Sequence, residues 1–252
     1  MSKHIKNTIR IFFFLVTLFT FSQKVDSVYI STENTKAKNL EREGNYLKAY
    51  ELINSLILKL DDSTPEFLIL SYKTRASIEN NLGKYKESIN TSQNTLQICL
   101  KLKDSLNMAF SYNLIGIGYY FLSEYDSTKV YYEKSFALKK KINTDLYDLA
   151  VSAYNLAILY EDLAQTEKAL KLYLEAEQNL LRSKFKKKFL SDIYVGIAHL
   201  YFNRKEITKA EEYSEKAIDF GLQSYGEFNP SMTFAYNAYA NILISKKKYK
   251  EA

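Results

Sequence analysis

The chain has 252 residues, with 35 Lys and Arg against 29 Asp and Glu and a formal net charge of +6. Only 7 Gly, 2 Pro and 1 Cys are present, which excludes collagen, a flexible low-complexity linker and a disulfide-stapled domain. Few turn residues also argue against a β-sandwich or β-barrel. Because 46% of the residues are hydrophobic, the chain has enough apolar surface for a packed core. The fold class that these exclusions leave is one of α-helices joined by polar turns.

The N-terminus has the pattern of a secretory signal peptide. Lys3, Lys6 and Arg10 precede the apolar run IFFFLVTLFTF at 11–21, and the small residue Ser22 follows it. The run is shorter than the roughly 20 residues of a membrane-spanning helix, so no stable span is expected after cleavage. The pattern predicts a signal peptide over 1–22 and a linker over 23–29. Retention of the segment as an anchor is the open alternative.

Two columns of small residues recur along the rest of the chain, at separations of 39 to 42 residues. The first column consists of Ala37, Ala76, Gly116, Ala157, Ala198 and Ala240. The second column, twelve residues later in each copy, consists of Ala49, Ser88, Thr128, Ala169, Ala210 and Ala252. Such self-similarity is the signature of a repeat array.

The two columns have a simple physical meaning. Antiparallel helices approach closely only where the facing side chains are small, so each pair of columns marks the crossing of a helix A with a helix B. We expect helix B to begin at the aromatic residue before the second column: Tyr46, Tyr85, Tyr125 and Tyr249. Each hairpin leaves a face uncovered, so neighbouring copies must stack. The sequence predicts an all-α solenoid over 30–252, with repeats starting near residues 30, 69, 109, 150, 191 and 233.

These columns, together with Tyr119, Tyr160 and Tyr201 between them, resemble the tetratricopeptide repeat family. The period near 40 residues is similar to that of the longer, kinesin-light-chain-like arrays. The resemblance implies a right-handed superhelix of antiparallel helix pairs that binds a protein or peptide in its concave groove. The N-terminal segment resembles those of exported proteins of Gram-negative bacteria, which implies the periplasm or the cell surface.

Residues able to carry catalysis are scarce. Gly116 and Gly118 lack the third glycine of a dinucleotide loop, and His199 has no Cys and no second His near it. Adjacent acids such as Glu161 and Asp162 point in different directions on a helix and are expected on a solvated face. We therefore predict no catalytic residue, no cofactor and no metal site, and we expect a protein that is not an enzyme.

Three lysine clusters, at 139–141, 184–188 and 246–248, are expected on helix ends and solvated turns. Cations at the end of a helix complement its dipole, and a nucleic-acid site would need one contiguous basic face. We therefore expect no nucleic-acid partner. The single cysteine, Cys99, is expected to be a small buried hydrophobe.

The resemblance places groove residues on helix A of repeats three to six. They combine aromatic rings with amides, which suits the side chains and backbone of a bound peptide. The predicted groove residues are Asn113, Ile117, Tyr120, Phe121, Tyr154, Ile158, Glu161, Val195, His199, Phe202, Asn237 and Asn241.

The sixth repeat is incomplete, since the sequence stops a few residues into its helix B. A chain that ended there would be expected to expose Tyr236, Tyr239 and Leu243. The leading hypothesis is an exported, non-catalytic scaffold. The alternative is the N-terminal sensory or regulatory part of a longer protein truncated at Ala252. By resemblance, that protein would continue into a histidine kinase, a DNA-binding regulator or a caspase-like protease.

Overall fold

The computed structural model describes residues 26–184, 189–227, 229 and 232–247, and these residues form a solenoid of paired α-helices. The described residues contain eleven helices and no strand, as predicted. The predicted signal peptide lies outside them. Among the residues described, no helix is both long enough and apolar enough to cross a membrane.

Helices A and B alternate along the chain. The A helices are α1 (Ser27–Arg42), α3 (Pro65–Asn81), α5 (Ser105–Phe121), α7 (Leu146–Asp162), α9 (Leu190–Asn203) and α11 (Thr233–Ser245). The B helices are α2 (Tyr46–Ile57), α4 (Tyr85–Leu102), α6 (Tyr125–Lys141), α8 (Thr166–Arg182) and α10 (Ile207–Tyr225). Each B helix packs on its own helix A and on the helix A that follows.

Several helices begin at the residues that the sequence predicts or at a residue that caps the helix. Tyr46, Tyr85 and Tyr125 each start a helix B, as predicted, while Tyr249 lies outside the described residues. Helix α1 starts within the predicted linker, because the Asp26 carboxylate caps it by accepting a hydrogen bond from the Val28 amide at 3.0 Å.

The two small columns lie at the predicted helix crossings. From the first to the fifth repeat, every residue of both columns is buried. In the second repeat the columns touch, since Ser88 Oγ donates a hydrogen bond to the Ala76 carbonyl oxygen at 2.8 Å. A serine is tolerated at this crossing because that bond satisfies its hydroxyl. In the sixth repeat, Ala240 is half-buried and Ala252 lies outside the described residues.

A left-handed residue ends helix A in each repeat. In the fourth repeat, Ala164 has φ +54°. Its amide donates to the Glu161 carbonyl at 2.8 Å, and the Gln165 amide donates to the Tyr160 carbonyl at 2.8 Å. These two bonds define a Schellman motif, which favours glycine at the left-handed position. The equivalent left-handed residues in the other repeats are Gly44, Gly83, Ser123, Lys205 and Lys247.

The variant Ala164→Gly is expected to stabilise the array by about 0.5–1 kcal/mol, since it removes the Cβ that disfavours positive φ. The reverse change, Gly44→Ala, is the matched control. Gly44 has φ +78° and an added Cβ would meet no atom within 4 Å, so only backbone strain is introduced. Urea denaturation followed by circular dichroism measures both. If both variants changed the free energy of unfolding by the same amount in the same direction, positive φ would not be the cause.

The interpretation of the lysine cluster at 139–141 as solvated was wrong for one member. Lys139 is buried, and its Nζ donates to Ser152 Oγ at 2.9 Å and to the Asp148 carbonyl at 3.2 Å. It also lies 4.6 Å from the centre of the Phe110 ring. Burial lowers the pKa of Lys139 to about 8. The long aliphatic stem of the lysine is buried while its ammonium finds these acceptors.

The last described helix is better covered than expected. Leu243 is buried, and Tyr239 is half-buried with its hydroxyl donating to Glu215 Oε1 at 3.3 Å. Both residues lie on α11, which packs on α9 and α10. Of the three residues expected to be exposed, only Tyr236 is.

Candidate functional site

Glu161, at the end of α7, joins three helices on the face formed by the A helices. Its Oε2 accepts a hydrogen bond from the Tyr173 hydroxyl of α8 at 2.7 Å, and its Oε1 pairs with His199 Nδ1 of α9. Asn203 Nδ2 lies 3.2 Å from His199 Nε2. The expectation of a solvated face for the Glu161–Asp162 pair was therefore wrong for Glu161, because stacking of the next repeat brings His199 against it.

A cavity of about 430 Å³ opens beside this group, between α7, α8, α9 and α11. Its size falls in the range of small-ligand sites. Gly196 lets the Tyr173 ring approach its wall, since a Cβ added there would lie 2.5 Å from Tyr173 Cζ. The lining residues are Tyr154, Glu161, Tyr173, Asp192, Val195, Gly196, His199, Phe234, Ala238 and Asn241. We call this the repeat 4–6 cavity.

Aromatic rings form one wall of the repeat 4–6 cavity. The ring of Tyr154 meets that of Tyr173 edge-on at 5.8 Å between centres, and it meets Phe189 in the same manner at 4.5 Å. Burial raises the pKa of Tyr154 and of Tyr173, with the nearby Glu161 carboxylate adding to the effect in Tyr173. Both phenols stay neutral at physiological pH. The wall thus offers neutral aromatic surface.

Carboxylates give the cavity its charge. Glu161 and Asp192 both line it, from consecutive A helices. Burial is the main cause that raises the pKa of Tyr225 to about 12, and the nearby Asp192 carboxylate adds to the effect. The hydrogen bond that His199 Nδ1 donates to Glu161 raises the pKa of His199 above its ordinary 6.5, against a smaller opposing effect of burial.

The His199–Glu161 pair is expected to be strongest at mildly acidic pH. Because the folded pKa of His199 is raised, the stabilisation is fully present below pH 6.5 and is lost as the pH rises through the folded value. The change Glu161→Gln should lower the pKa of His199. Ring ¹H–¹³C signals of His199 followed from pH 5 to 9 measure it. A pKa that is the same in both proteins would show that Glu161 does not govern this imidazole.

Five of the predicted groove residues line the repeat 4–6 cavity: Tyr154, Glu161, Val195, His199 and Asn241. Phe202 lines a smaller adjoining cavity, together with His199 and Asn241. Asn237 is exposed on α11. The sequence-based choice of the A-helix face thus brings together residues from repeats four to six.

The remaining predicted groove residues lie outside this cavity, on α5 and α7. Asn113 is buried, and its Oδ1 accepts a hydrogen bond from Asn155 Nδ2 at 2.9 Å. Ile117 and Ile158 pack against the core, and the Tyr120 hydroxyl donates to Asp162 Oδ2 at 2.7 Å. Phe121 is half-exposed and stacks on Tyr85, with ring centres 5.0 Å apart.

The predicted groove residues do not include five residues that line the cavity: Tyr173, Asp192, Gly196, Phe234 and Ala238. Tyr173 belongs to a helix B, yet its ring reaches through to the A-helix face because Gly196 leaves space opposite it. Tyr132 stands at the equivalent place one repeat earlier, but it packs against Gly116 of its own repeat, so the tyrosine spacing alone does not predict that Tyr173 reaches the next repeat.

A second polar group lies on α3 and α5, nearer the N-terminus. Lys73 Nζ donates to Asn107 Oδ1 at 2.6 Å and lies 4.1 Å from the centre of the Phe110 ring, which also contacts Lys139. Burial lowers the pKa of Lys73 to about 8. Cys99 is buried, as expected, and burial raises the pKa of its thiol to about 11. Within the described ranges, no group of three or more His, Cys, Asp and Glu is placed to hold a metal ion.

No protein-family model matches the chain, and no curated protein is similar to it in sequence. Solved structures nevertheless share its architecture. BtubC from P. vanneervenii has a TM-score of 0.66 at 18% identity, over 81% of this chain and 84% of that one. The TPR-like repeats of a kinesin light chain from Podosopora anserina have a TM-score of 0.57 at 17% identity, over 79% and 97%.

NprR in complex with its cognate peptide NprX is also similar, with a TM-score of 0.64 at 13% identity, over 98% of this chain and 70% of that one. Identities this low show the fold alone. The fold is a tetratricopeptide-like solenoid of antiparallel helix pairs, and the resemblance read from the small columns is confirmed at that level.

Proposed function

We propose that this chain is a non-catalytic scaffold that binds a peptide, or an extended segment of a protein, along the face of its A helices. The observation that carries the proposal is the repeat 4–6 cavity, in which aromatic rings and fixed polar groups from three consecutive A helices converge. Preformed concave sites of this kind lower the entropy cost of binding. The peptide held by the similarly folded NprR supports the same use of the fold.

Selection from a random dodecapeptide library displayed on phage, followed by calorimetry with the selected peptides, tests the proposal. The variant Phe234→Ala removes a ring that is 70% exposed at the cavity and should leave the fold intact. We expect it to weaken binding about tenfold or more, as for an aromatic anchor. The matched control is Val130→Ala, which truncates a 48% exposed side chain on a B helix.

Binding that Val130→Ala weakens as much as Phe234→Ala would refute the A-helix face as the binding surface. Failure to select any peptide that binds the folded protein would refute the function itself. Tyr154 is less suitable for this test than its sequence position implies. Its ring packs on Tyr173 and Phe189, so Tyr154→Ala would disturb the fold together with the site.

We further propose that the scaffold works outside the cytoplasm, on the strength of the charged start and apolar run within residues 1–22. Expression of the full chain in a Gram-negative host should give a periplasmic product whose mass corresponds to a start at Gln23. Replacing Phe13 and Phe14 by Asp should abolish export. A cytoplasmic product of full mass would refute the proposal. The alternative role within a longer signalling or protease chain stays a prediction, and the gene sequence after Ala252 decides it.

A further inference from the structure

We propose that the repeat 4–6 cavity is a specificity site for a basic side chain, arginine or lysine, of the bound peptide. The inference rests on the proposed peptide-binding function and adds the chemistry that the peptide must carry. Three features of the cavity lead to it: its charge, its aromatic wall and the fixed position of the Glu161 carboxylate.

The cavity carries a net negative charge. Glu161 and Asp192 line it, and among the described residues that form its walls only His199 is able to carry a positive charge. A protonated His199 offsets one carboxylate, and a neutral His199 offsets neither. A recess between low-dielectric walls concentrates the resulting field, which attracts cations and repels acidic side chains.

The walls suit a cation that enters from solvent. Tyr154 and Phe234 supply aromatic surface on two different helices, and the buried ring of Tyr173 packs against Tyr154. An ammonium or guanidinium group is attracted to the face of such a ring by about 0.5–2 kcal/mol, and the methylenes of its side chain pack on the same apolar surface. Phe234 is 70% exposed, so an arginine or lysine stem entering the cavity would cover it.

The Glu161 carboxylate is held in place before any ligand binds. Each Glu161 oxygen already accepts one hydrogen bond, Oε1 from His199 and Oε2 from Tyr173. Each oxygen of an ionised carboxylate has a second lone pair, so Glu161 retains acceptor capacity for a ligand. A cation therefore meets an acceptor that is already ordered, so little entropy is lost in positioning it.

The opposite charge lies nearer the N-terminus of the A-helix face. Lys73 of α3 contacts the ring of Phe110, and the buried Lys139 of α6 contacts the same ring, so the A-helix face at Phe110 does not favour a second cation. The two charged regions lie on different repeats. The contrast therefore assigns the basic residue of a bound peptide to repeats four to six.

The test uses Nα-acetyl-L-arginine amide as the probe and Nα-acetyl-L-citrulline amide as its uncharged match in shape. The sequence contains only two histidines, so the ring signals of His199 in ¹H–¹³C spectra of the full chain report directly on the cavity. We expect the arginine probe to shift them saturably. The citrulline probe should bind about tenfold more weakly, and added salt should reduce the difference.

Two variants and a matched control locate the effect. Glu161→Gln and Asp192→Asn should each weaken binding of the arginine probe about tenfold and leave binding of the citrulline probe nearly unchanged. Asp162→Asn is the control, since Asp162 is adjacent to Glu161 but exposed and outside the cavity. Equal binding of the two probes would overturn the proposal. The proposal would also be overturned if Asp162→Asn weakened binding of the arginine probe as much as Glu161→Gln and Asp192→Asn do.

The outcome is separable from that of the proposed function. If library peptides bind and require Phe234 but tolerate citrulline or norleucine in place of every arginine and lysine, the basic-residue inference is wrong and peptide binding stands. If the arginine probe binds the cavity as described while no peptide binds, the cation site stands and the peptide-binding function is wrong.

Discussion

Replacing Tyr173 by alanine is expected to destabilise the array by about 3–5 kcal/mol, the usual cost of deleting a buried aromatic side chain. The ring is 2% exposed and lies between Tyr154 of α7 and Gly196 of α9, so it fills the junction between the fourth and fifth repeats. Stability in such arrays depends on interfaces between neighbouring repeats. Urea denaturation followed by circular dichroism at 222 nm measures the loss.

Tyr173→Phe separates the ring from its hydroxyl. It keeps the packing and removes only the hydrogen bond to Glu161, at an expected cost of about 1–2 kcal/mol. If Tyr173→Phe were as destabilising as Tyr173→Ala, the hydroxyl rather than the ring would hold the junction. His199 provides an independent check, because its pKa should stay raised in Tyr173→Phe, where Glu161 still accepts its hydrogen bond.

Replacing Gly116 by alanine is expected to destabilise the third repeat by about 1–3 kcal/mol, although alanine is the better helix former. An added Cβ would lie 2.4 Å from Cδ1 and 2.6 Å from Cε1 of the Tyr132 ring. Tyr132 is 5% exposed and its ring is rigid, so either the ring or α5 must move. Thermal and urea denaturation measure the change in the free energy of unfolding.

The double variant Gly116→Ala with Tyr132→Leu is the control. Leucine replaces the rigid ring by a smaller side chain that can turn away from the new Cβ, so the two changes should be less harmful together than the sum of each alone. Additive effects would show that Tyr132 is not the cause. Ala157 occupies the equivalent position of the fourth repeat, so the position itself accepts alanine where the facing side chain allows it.

Most of the fold was predictable because it follows from short-range rules repeated along the chain. Tyr46, Tyr85 and Tyr125 begin their helices, and the small columns are buried at the crossings. Each of these features depends on residues within one hairpin, so sequence spacing reveals them. The candidate site was predictable only in part. The A-helix positions gave Tyr154, His199 and other lining residues, but not Tyr173, which reaches the cavity from a helix B.

Lys139 differs in burial from the two lysines that follow it in sequence. A run of three lysines at the end of a helix predicts a solvated cluster, yet stacking of α6 on α7 buries the first of them against Ser152. The other two, Lys140 and Lys141, are exposed. Neighbours in sequence thus differ because the face of the helix, not the composition of the run, decides which side chain is covered.

The sequence by itself determined the helical hairpins, their period and the face that carries the candidate site, because helix crossings and helix starts are set by local residues. The tertiary structure decided which side chains meet between repeats. Glu161 and His199 are 38 residues apart and belong to different hairpins. Their pairing, the cavity beside them and its net charge depend on how one repeat is displaced on the next. Side-chain packing fixes that displacement, and the residue spacing within a single repeat does not encode it.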